Sequence, residues 1–298
     1  MNNKQLGKSE LLISEISLGT MSLGIEYPTA KSLLHRALDL GVNFFDTADL
    51  YDKGLNEEIL GKSFQGIRNS LILATKVGNQ LNSDGSAWTW NPTKAYILKA
   101  VDDSLRRLKT DYIDLYQLHG GTIDDPIDET IEAFEELVQI GKIRYYGISS
   151  IRPNVIRAYV SRSNIVSVMT QYSLLDRRPE EETLGLLEEN KVGVLVRGAV
   201  AKGLLGGKAS KDYLEHSQGA VHEVQKTISE YTLPSRSMAQ TAIAYASSHP
   251  AVSTIVSGAS RLSQIEENVE TSKSPPLTEA ELKKLKDSTP FFPYRKHR

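Results

Sequence analysis

Cysteine is absent from the 298-residue sequence. Disulfides, thiolate catalysis and Cys-bound metal or iron–sulfur sites are thereby excluded, and the composition fits a reducing compartment. Long apolar runs are missing too. Nowhere do about 18 consecutive apolar residues occur, so no membrane-spanning helix is expected. Residues Met1–Glu10 are polar and lack the apolar core of a signal peptide, which leads to the expectation of a cytoplasmic protein. Nor does one sign of charge dominate: 35 Lys and Arg oppose 37 Asp and Glu. Without a Lys/Arg-dense block, a nucleic-acid partner is disfavoured. The histidines at 35, 119, 216, 222, 249 and 297 show neither H-x-H nor H-E-x-x-H spacing, so no metal site is expected.

What is present describes an ordinary globular chain, 40% hydrophobic and 24% charged. Short apolar runs rich in β-branched and aromatic residues alternate with longer amphipathic stretches. Strands are expected at Glu15–Gly19, Val42–Asp46, Leu71–Lys76, Ile113–His119, Tyr145–Ser149, Val166–Gln171, Val192–Arg197 and Ser253–Ser257. Helical patterns fall at Thr93–Lys109, Asp128–Ile140, Pro153–Arg162, Glu180–Glu189 and Ser235–Ser248. Thr93 and Ser235 suit N-caps, and Pro153 suits a first helical turn. Strands separated by helices pair in parallel, because parallel neighbours need crossover connections. Eight such units predict a closed (β/α)8 TIM barrel spanning 1–298 as a single domain; a doubly wound open sheet is the runner-up. The stretches Asn79–Pro92 and Ala209–Pro234 read as irregular loops. Gln5–Leu6 and Leu11–Ile13 flank a Gly-containing turn that would form a hairpin closing the barrel's bottom. Thr278–Lys286 reads as an extra helix opened by a Thr278–Glu281 capping box.

Active sites of such barrels lie at the C-terminal ends of the strands, so the residue that ends each apolar run matters most. Val42–Phe45 runs into Asp46, Leu71–Thr75 into Lys76, and Ile113–Leu118 into His119; Tyr51 comes shortly after Asp46. A phenol, an ammonium, a carboxylate and an imidazole on one rim suit carbonyl reduction. The phenol of Tyr51 would donate a proton to a developing alkoxide. Lys76, held by Asp46, would ease the loss of that proton, and His119 would orient the carbonyl oxygen.

Asp46-Thr47-Ala48-Asp49-Leu50-Tyr51, Ala74-Thr75-Lys76 and Leu118-His119 resemble the catalytic tetrad of the aldo-keto reductases. Further matching segments are Leu18–Met21, Gly141–Ser149, Gln171–Leu175, Gly203–Lys208 and Gln264–Asn268. Asp-x4-Tyr alone is a weak signal; all of these in order are specific. The pattern is similar to the short bacterial branch related to the voltage-gated potassium-channel β subunits. The resemblance implies an NADPH/NADP-dependent oxidoreductase that reduces aldehyde or ketone carbonyls of small molecules. The cofactor would meet Gly19, Thr20, Met21 and Asp46 beside its nicotinamide, with Ser149 and Gln171 on the carboxamide. Gly203, Leu205 and Lys208 would wrap the pyrophosphate. Ser260, Arg261, Gln264, Glu267 and Asn268 would hold the adenosine end, where a helix start favours anions.

Two positions depart from the family pattern. Ser149-Ser150 replaces the usual Ser-Asn, and Arg197 stands where an aromatic residue normally stacks on the nicotinamide. A guanidinium plane can stack, though its charge suits an oxidised ring less well.

The same residues admit competing readings. Asp46 with Lys76 could be a structural ion pair, and a single buried His is more often satisfied than catalytic. Ser263 with Glu266 could simply open a surface helix. Gly207-Lys208 is not a P-loop, because Lys202 occupies the required first glycine, and no G-x-G-x-x-G comes after the first strand. Strand ends in His119 and Arg197 disfavour a two-carboxylate glycosidase. Trp88 and Trp90 would either cover substrate or pin their loop. The rival functional class is a nucleotide-binding regulatory or redox-sensing subunit with little turnover.

Overall fold

The structure is a computed structural model that describes residues 1–82, 85–232 and 236–298. In chain order it begins with β1 (Asn3–Gln5), β2 (Leu12–Ser14), β3 (Ile16–Gly19), α1 (Tyr27–Asp39), β4 (Phe44–Asp46) and α2 (Leu55–Ser63). Next come β5 (Ile72–Val77), β6 (Asn79–Leu81), β7 (Trp88–Trp90), α3 (Lys94–Leu108), β8 (Ile113–Leu118) and α4 (Ile127–Gln139). After these lie β9 (Ile143–Ser149), α5 (Pro153–Arg162), β10 (Ser167–Gln171), α6 (Thr183–Glu189) and β11 (Gly193–Arg197). The last elements are α7 (Gln218–Glu230), α8 (Met238–Ser247), β12 (Val252–Gly258), α9 (Leu262–Glu270) and α10 (Glu279–Asp287).

Strands β3, β4, β5, β8, β9, β10, β11 and β12 close into a barrel in which each neighbouring pair is parallel. The chain is thus a single-domain (β/α)8 barrel, and the open-sheet alternative falls because no edge strand remains. Two cores result from the period-2 alternation of strands. Phe45, Leu73, Tyr116 and Val194 face the helices, while Phe44, Ala74, Leu115, Met169 and Leu195 fill the interior.

The hairpin β1–β2 supplies Leu6, Leu11 and Ile13 to that same interior cluster. Gly7 makes the approach possible. Its φ is +54°, and a Cβ there would lie 2.3 Å from the Val166 carbonyl and 2.7 Å from the Gly193 amide. Those atoms sit at the beginnings of β10 and β11, so the hairpin plugs the N-terminal end of the barrel. The opposite end is left for chemistry.

Local signals account for several helix ends. Thr93 accepts the Tyr96 amide as N-cap of α3, and Thr278 with Glu281 forms the capping box of α10. Pro153 occupies the first turn of α5.

Other expectations need correction. The stretch 79–92 contains an antiparallel hairpin, β6–β7, and 209–234 contains α7, capped by Ser217. Helices α1 and α2 fall where the eight strand–helix units require helices, although no bounds were expected for them. Ser235 lies outside the described residues; α8 opens at Met238, with Ser237 and Gln240 as its capping box. Ser263 and Glu266 form no box, since α9 starts at Leu262 and Glu266 instead pairs with Arg36. No described helix is long and apolar enough to cross a membrane.

Candidate active site

Strand alternation carries three polar side chains inward above the apolar interior layer. Phe44 is succeeded two residues on by Asp46, Ala74 by Lys76, and Leu115 by Gln117. Register aligns them, because Asp46 pairs with Ala74 and Lys76 with Gln117 on adjacent strands. The Lys76 Nζ donates to Asp46 Oδ2 at 2.6 Å and to the Thr47 carbonyl at 2.7 Å, with the Tyr51 hydroxyl 3.5 Å away. Gln117 Nε2 donates to the other Asp46 oxygen at 3.1 Å. Asp46 and Lys76 are both buried. Burial pushes the Asp46 carboxyl up, against the pull of Lys76. Burial alone would lower Lys76, but Asp46 and Tyr51 outweigh it and hold the ammonium above its usual range.

Tyr51 opens a short turn beyond β4, half-buried, with Asp52 and Lys53 both at positive φ (48° and 57°) immediately after it. Such conformations cost about 1–2 kcal/mol per non-Gly residue and mark a backbone constrained by its surroundings. The Tyr51 ring meets His119 edge-on, with centroids 5.8 Å apart. His119 lies just past β8, and its amide donates to the Val77 carbonyl at 2.8 Å. Burial, then the nearby Lys76 and Arg197 charges, lower the imidazole to about 3, so it is neutral at ordinary pH. Its Nδ1 is buried without a hydrogen-bond partner among the described residues. The four residues expected at one rim are therefore brought together.

Asp49 lies behind this cluster. Burial, then the neighbouring Glu57, raises its carboxyl to about 8, and Oδ1 has no hydrogen-bond partner among the described residues. A carboxyl with a higher pKa folded than unfolded takes up a proton on folding, so stability falls as pH rises from near 4 to about 8. Asp49→Asn should therefore gain stability over wild type progressively across that window, reaching about 2 kcal/mol or more above it. Urea melts of both proteins from pH 5 to 9 check this; a pH-independent difference would assign the effect to packing.

The cofactor residues expected from sequence are distributed around the same rim. Gly19 ends β3, Thr20 is buried, and Met21 is 67% exposed. Ser149, Gln171 and Arg197 end β9, β10 and β11. Gln171 is engaged at both ends of its amide: Oε1 accepts from Arg197 at 2.9 Å, and Nε2 donates to Asp176 at 2.7 Å. Arg178 holds Asp176 with two bonds of 2.6 and 2.7 Å. The Ser150 hydroxyl, in place of the usual amide, accepts the Arg152 N–H at 3.1 Å.

Loop 203–208 comes after a left-handed turn at Ala201, Lys202 and Gly203. Gly203 has φ +91°, and a Cβ there would lie 2.7 Å from the Lys208 side chain. Lys208 is exposed and donates to the Lys202 carbonyl at 3.2 Å. The Leu205 side chain is buried in the outer core, which leaves only its main chain to face a ligand. Beyond β12, Gln264 Oε1 accepts from the Ser260 amide and hydroxyl at 2.9 and 3.2 Å. Glu267 accepts from Ser237 at 2.6 Å, and Asn268 is buried. Arg261 is exposed and has no acidic partner among the described residues.

Trp90 packs against Gly78, Gly120 and Gly121 and donates to Asp125 at 3.0 Å, so it pins the β6–β7 hairpin to the loop after β8. Trp88 remains 52% exposed. Gln117 is a site residue that sequence reasoning misses. Its signal is its place two residues after an inward Leu115, but a strand's facing is known only once the barrel closes.

The fold and rim define a parallel (β/α)8 barrel with an acid, a base, a phenol and an imidazole gathered at the C-terminal ends of its strands. A sequence profile of the Aldo/keto reductase family matches residues 15–289, and the chain belongs to that family. It is 53% identical over 307 aligned positions to an uncharacterised oxidoreductase, YqkF, of Bacillus subtilis, with all of both chains covered. The solved holo form of aldo-keto reductase AKR11C1 from Bacillus halodurans is 50% identical, with a TM-score of 0.94 over 100% of this chain and 99% of that one. A probable voltage-gated potassium channel β subunit of Arabidopsis thaliana is 30% identical over 302 positions, covering 90% of each chain.

Proposed function

We propose that the protein is an NADPH-dependent reductase of small-molecule aldehydes or ketones, with Tyr51 as proton donor. The observation that carries the reading is the Lys76 ammonium, buried between Asp46 and the Tyr51 hydroxyl. Bound NADPH would supply hydride. Gly19, Thr20, Met21, Ser149, Gln171 and Arg197 would surround its nicotinamide, and loop 203–208 with Ser260, Arg261, Gln264, Glu267 and Asn268 would hold the rest. The chain fits such a group. Among the described residues a buried His119 nitrogen lacks a partner, and Arg261, near the start of α9, has no acidic partner.

The residues divide the work by charge. A neutral imidazole at His119 carries one ring proton, which can be donated to a carbonyl oxygen without adding charge to the pocket. Tyr51 supplies the proton that turns the developing alkoxide into an alcohol, and the adjacent ammonium stabilises the phenolate left behind. Asp46 and Gln117 hold that ammonium in place. The oxygen gains its proton from Tyr51, which is later restored from solvent.

The test is steady-state NADPH oxidation with a panel of aldehydes. Many turnovers per enzyme support a reductase; tight NADPH binding without turnover would instead favour a nucleotide-binding regulatory subunit. Cofactor choice is tested separately. NADPH differs from NADH by a 2′-phosphate, which suits the exposed Arg261 with Lys208 as a second positive charge. Arg261→Ala should weaken NADPH binding by about 1.5–3 kcal/mol while barely changing NADH binding. Fluorescence titration of both cofactors decides; equal losses would remove Arg261 from the phosphate.

A further inference from the structure

Adjacent residues in the first turn of α2, Asn56 and Glu57, are both completely buried and reach three threonines next to the site. Thr20 comes directly after Gly19, Thr47 directly after Asp46, and Thr75 directly before Lys76. Asn56 Oδ1 lies 2.7 Å from the Thr47 hydroxyl and 2.6 Å from that of Thr20, and Nδ2 donates to the Thr20 carbonyl at 2.9 Å. The Thr20 hydroxyl also reaches the Asp46 carbonyl at 2.9 Å. Glu57 accepts from Thr75 at 2.5 Å and from Arg107 at 2.6 Å.

On a strand, neighbouring side chains point to opposite faces. Lys76 points inward and Thr75 outward, so a bond on Thr75 from outside limits rotation of the strand that would swing Lys76. Thr47 matters more directly, because its carbonyl is one of the acceptors of the Lys76 ammonium. Packing alone would be served by an apolar residue at 56. A buried amide with satisfied bonds on both its oxygen and its nitrogen instead fixes a particular geometry, since shifting it leaves polar groups unpartnered.

We propose that Asn56 is a positioning residue which, through Thr47 and Thr20, sets the Lys76 ammonium against Asp46 and Tyr51. Its kinetic consequence rests on the reductase reading; its structural consequence does not. Asn56→Ala should lower kcat for aldehyde reduction about tenfold or more, with KM for the aldehyde changed less than about threefold, because small misplacements of reacting groups are costly. Thr47→Val keeps the shape of its site and removes the same bond from the other side. It should lose a comparable factor, Thr47→Ser should recover most of it, and the Asn56→Ala/Thr47→Val double variant should be little worse than either single one.

A crystal structure of Asn56→Ala gives a readout independent of turnover: the Nζ–Thr47 carbonyl contact should open beyond about 3.5 Å. Contact intact in the folded variant overturns the proposal, as does an open contact with wild-type kcat, or equal activity of Thr47→Val and Thr47→Ser. A wild type without aldehyde turnover would count against the reductase reading, while the crystal structure would still decide the role of Asn56.

Discussion

Tyr51→Phe is expected to lower kcat for carbonyl reduction by at least about 10²–10⁴-fold, the usual contribution of a positioned acid. NADPH affinity should stay within about threefold of wild type, because the hydroxyl faces Lys76 and the ring, which packs against His119, is retained. Loss of one oxygen leaves the His119 ring contact and the Tyr51 amide bond to the Ala48 carbonyl untouched, so the short turn should stay in place. The measurement is single-turnover NADPH oxidation with saturating aldehyde, where chemistry and not product release is observed. Near-normal single-turnover rates in Tyr51→Phe would assign the proton to another group.

Lys76→Met is expected to be at least as damaging, and in two separable ways. Turnover should fall by about 10² or more, since the charge that stabilises a phenolate at Tyr51 is withdrawn. Stability should also fall, by about 3–5 kcal/mol, because Asp46 is left buried without its counter-ion. Adding Asp46→Asn removes the stranded carboxylate. The Lys76→Met/Asp46→Asn double variant should therefore regain much of the lost stability, measured by urea unfolding, yet none of the lost turnover. If turnover returned together with stability, Lys76 would be a structural partner of Asp46 and nothing more.

The barrel itself is legible because its strands are short, apolar and separated by helices long enough to force parallel pairing. Boundaries of α3, α5 and α10 are legible for a local reason: Thr93, Pro153 and the Thr278–Glu281 box act within a single turn. The β6–β7 hairpin is not, because short strands flanked by polar residues carry little periodicity; its anchor is the Trp90–Asp125 bond between distant loops. Helix α2 is equally silent. Its first turn buries Asn56 and Glu57, polar residues that sequence reasoning assigns to the surface.

At the rim, Asp46, Lys76 and His119 can be read from sequence because each ends an apolar run, and the fold puts strand ends together. Tyr51 needs the family pattern, being one of 13 tyrosines with no local signal of its own. Sequence by itself thus determined the architecture and the chemical types gathered at one end, through periodicity and strand order. Only the tertiary structure decided which polar atoms meet. Gln117 on Asp46, Thr47 on Lys76, Arg197 and Asp176 on Gln171, and Asn56 beneath them join residues distant in the chain. Hydrogen bonds select partners over tenths of an ångström, a precision set by barrel closure and strand register and by no local pattern of residues.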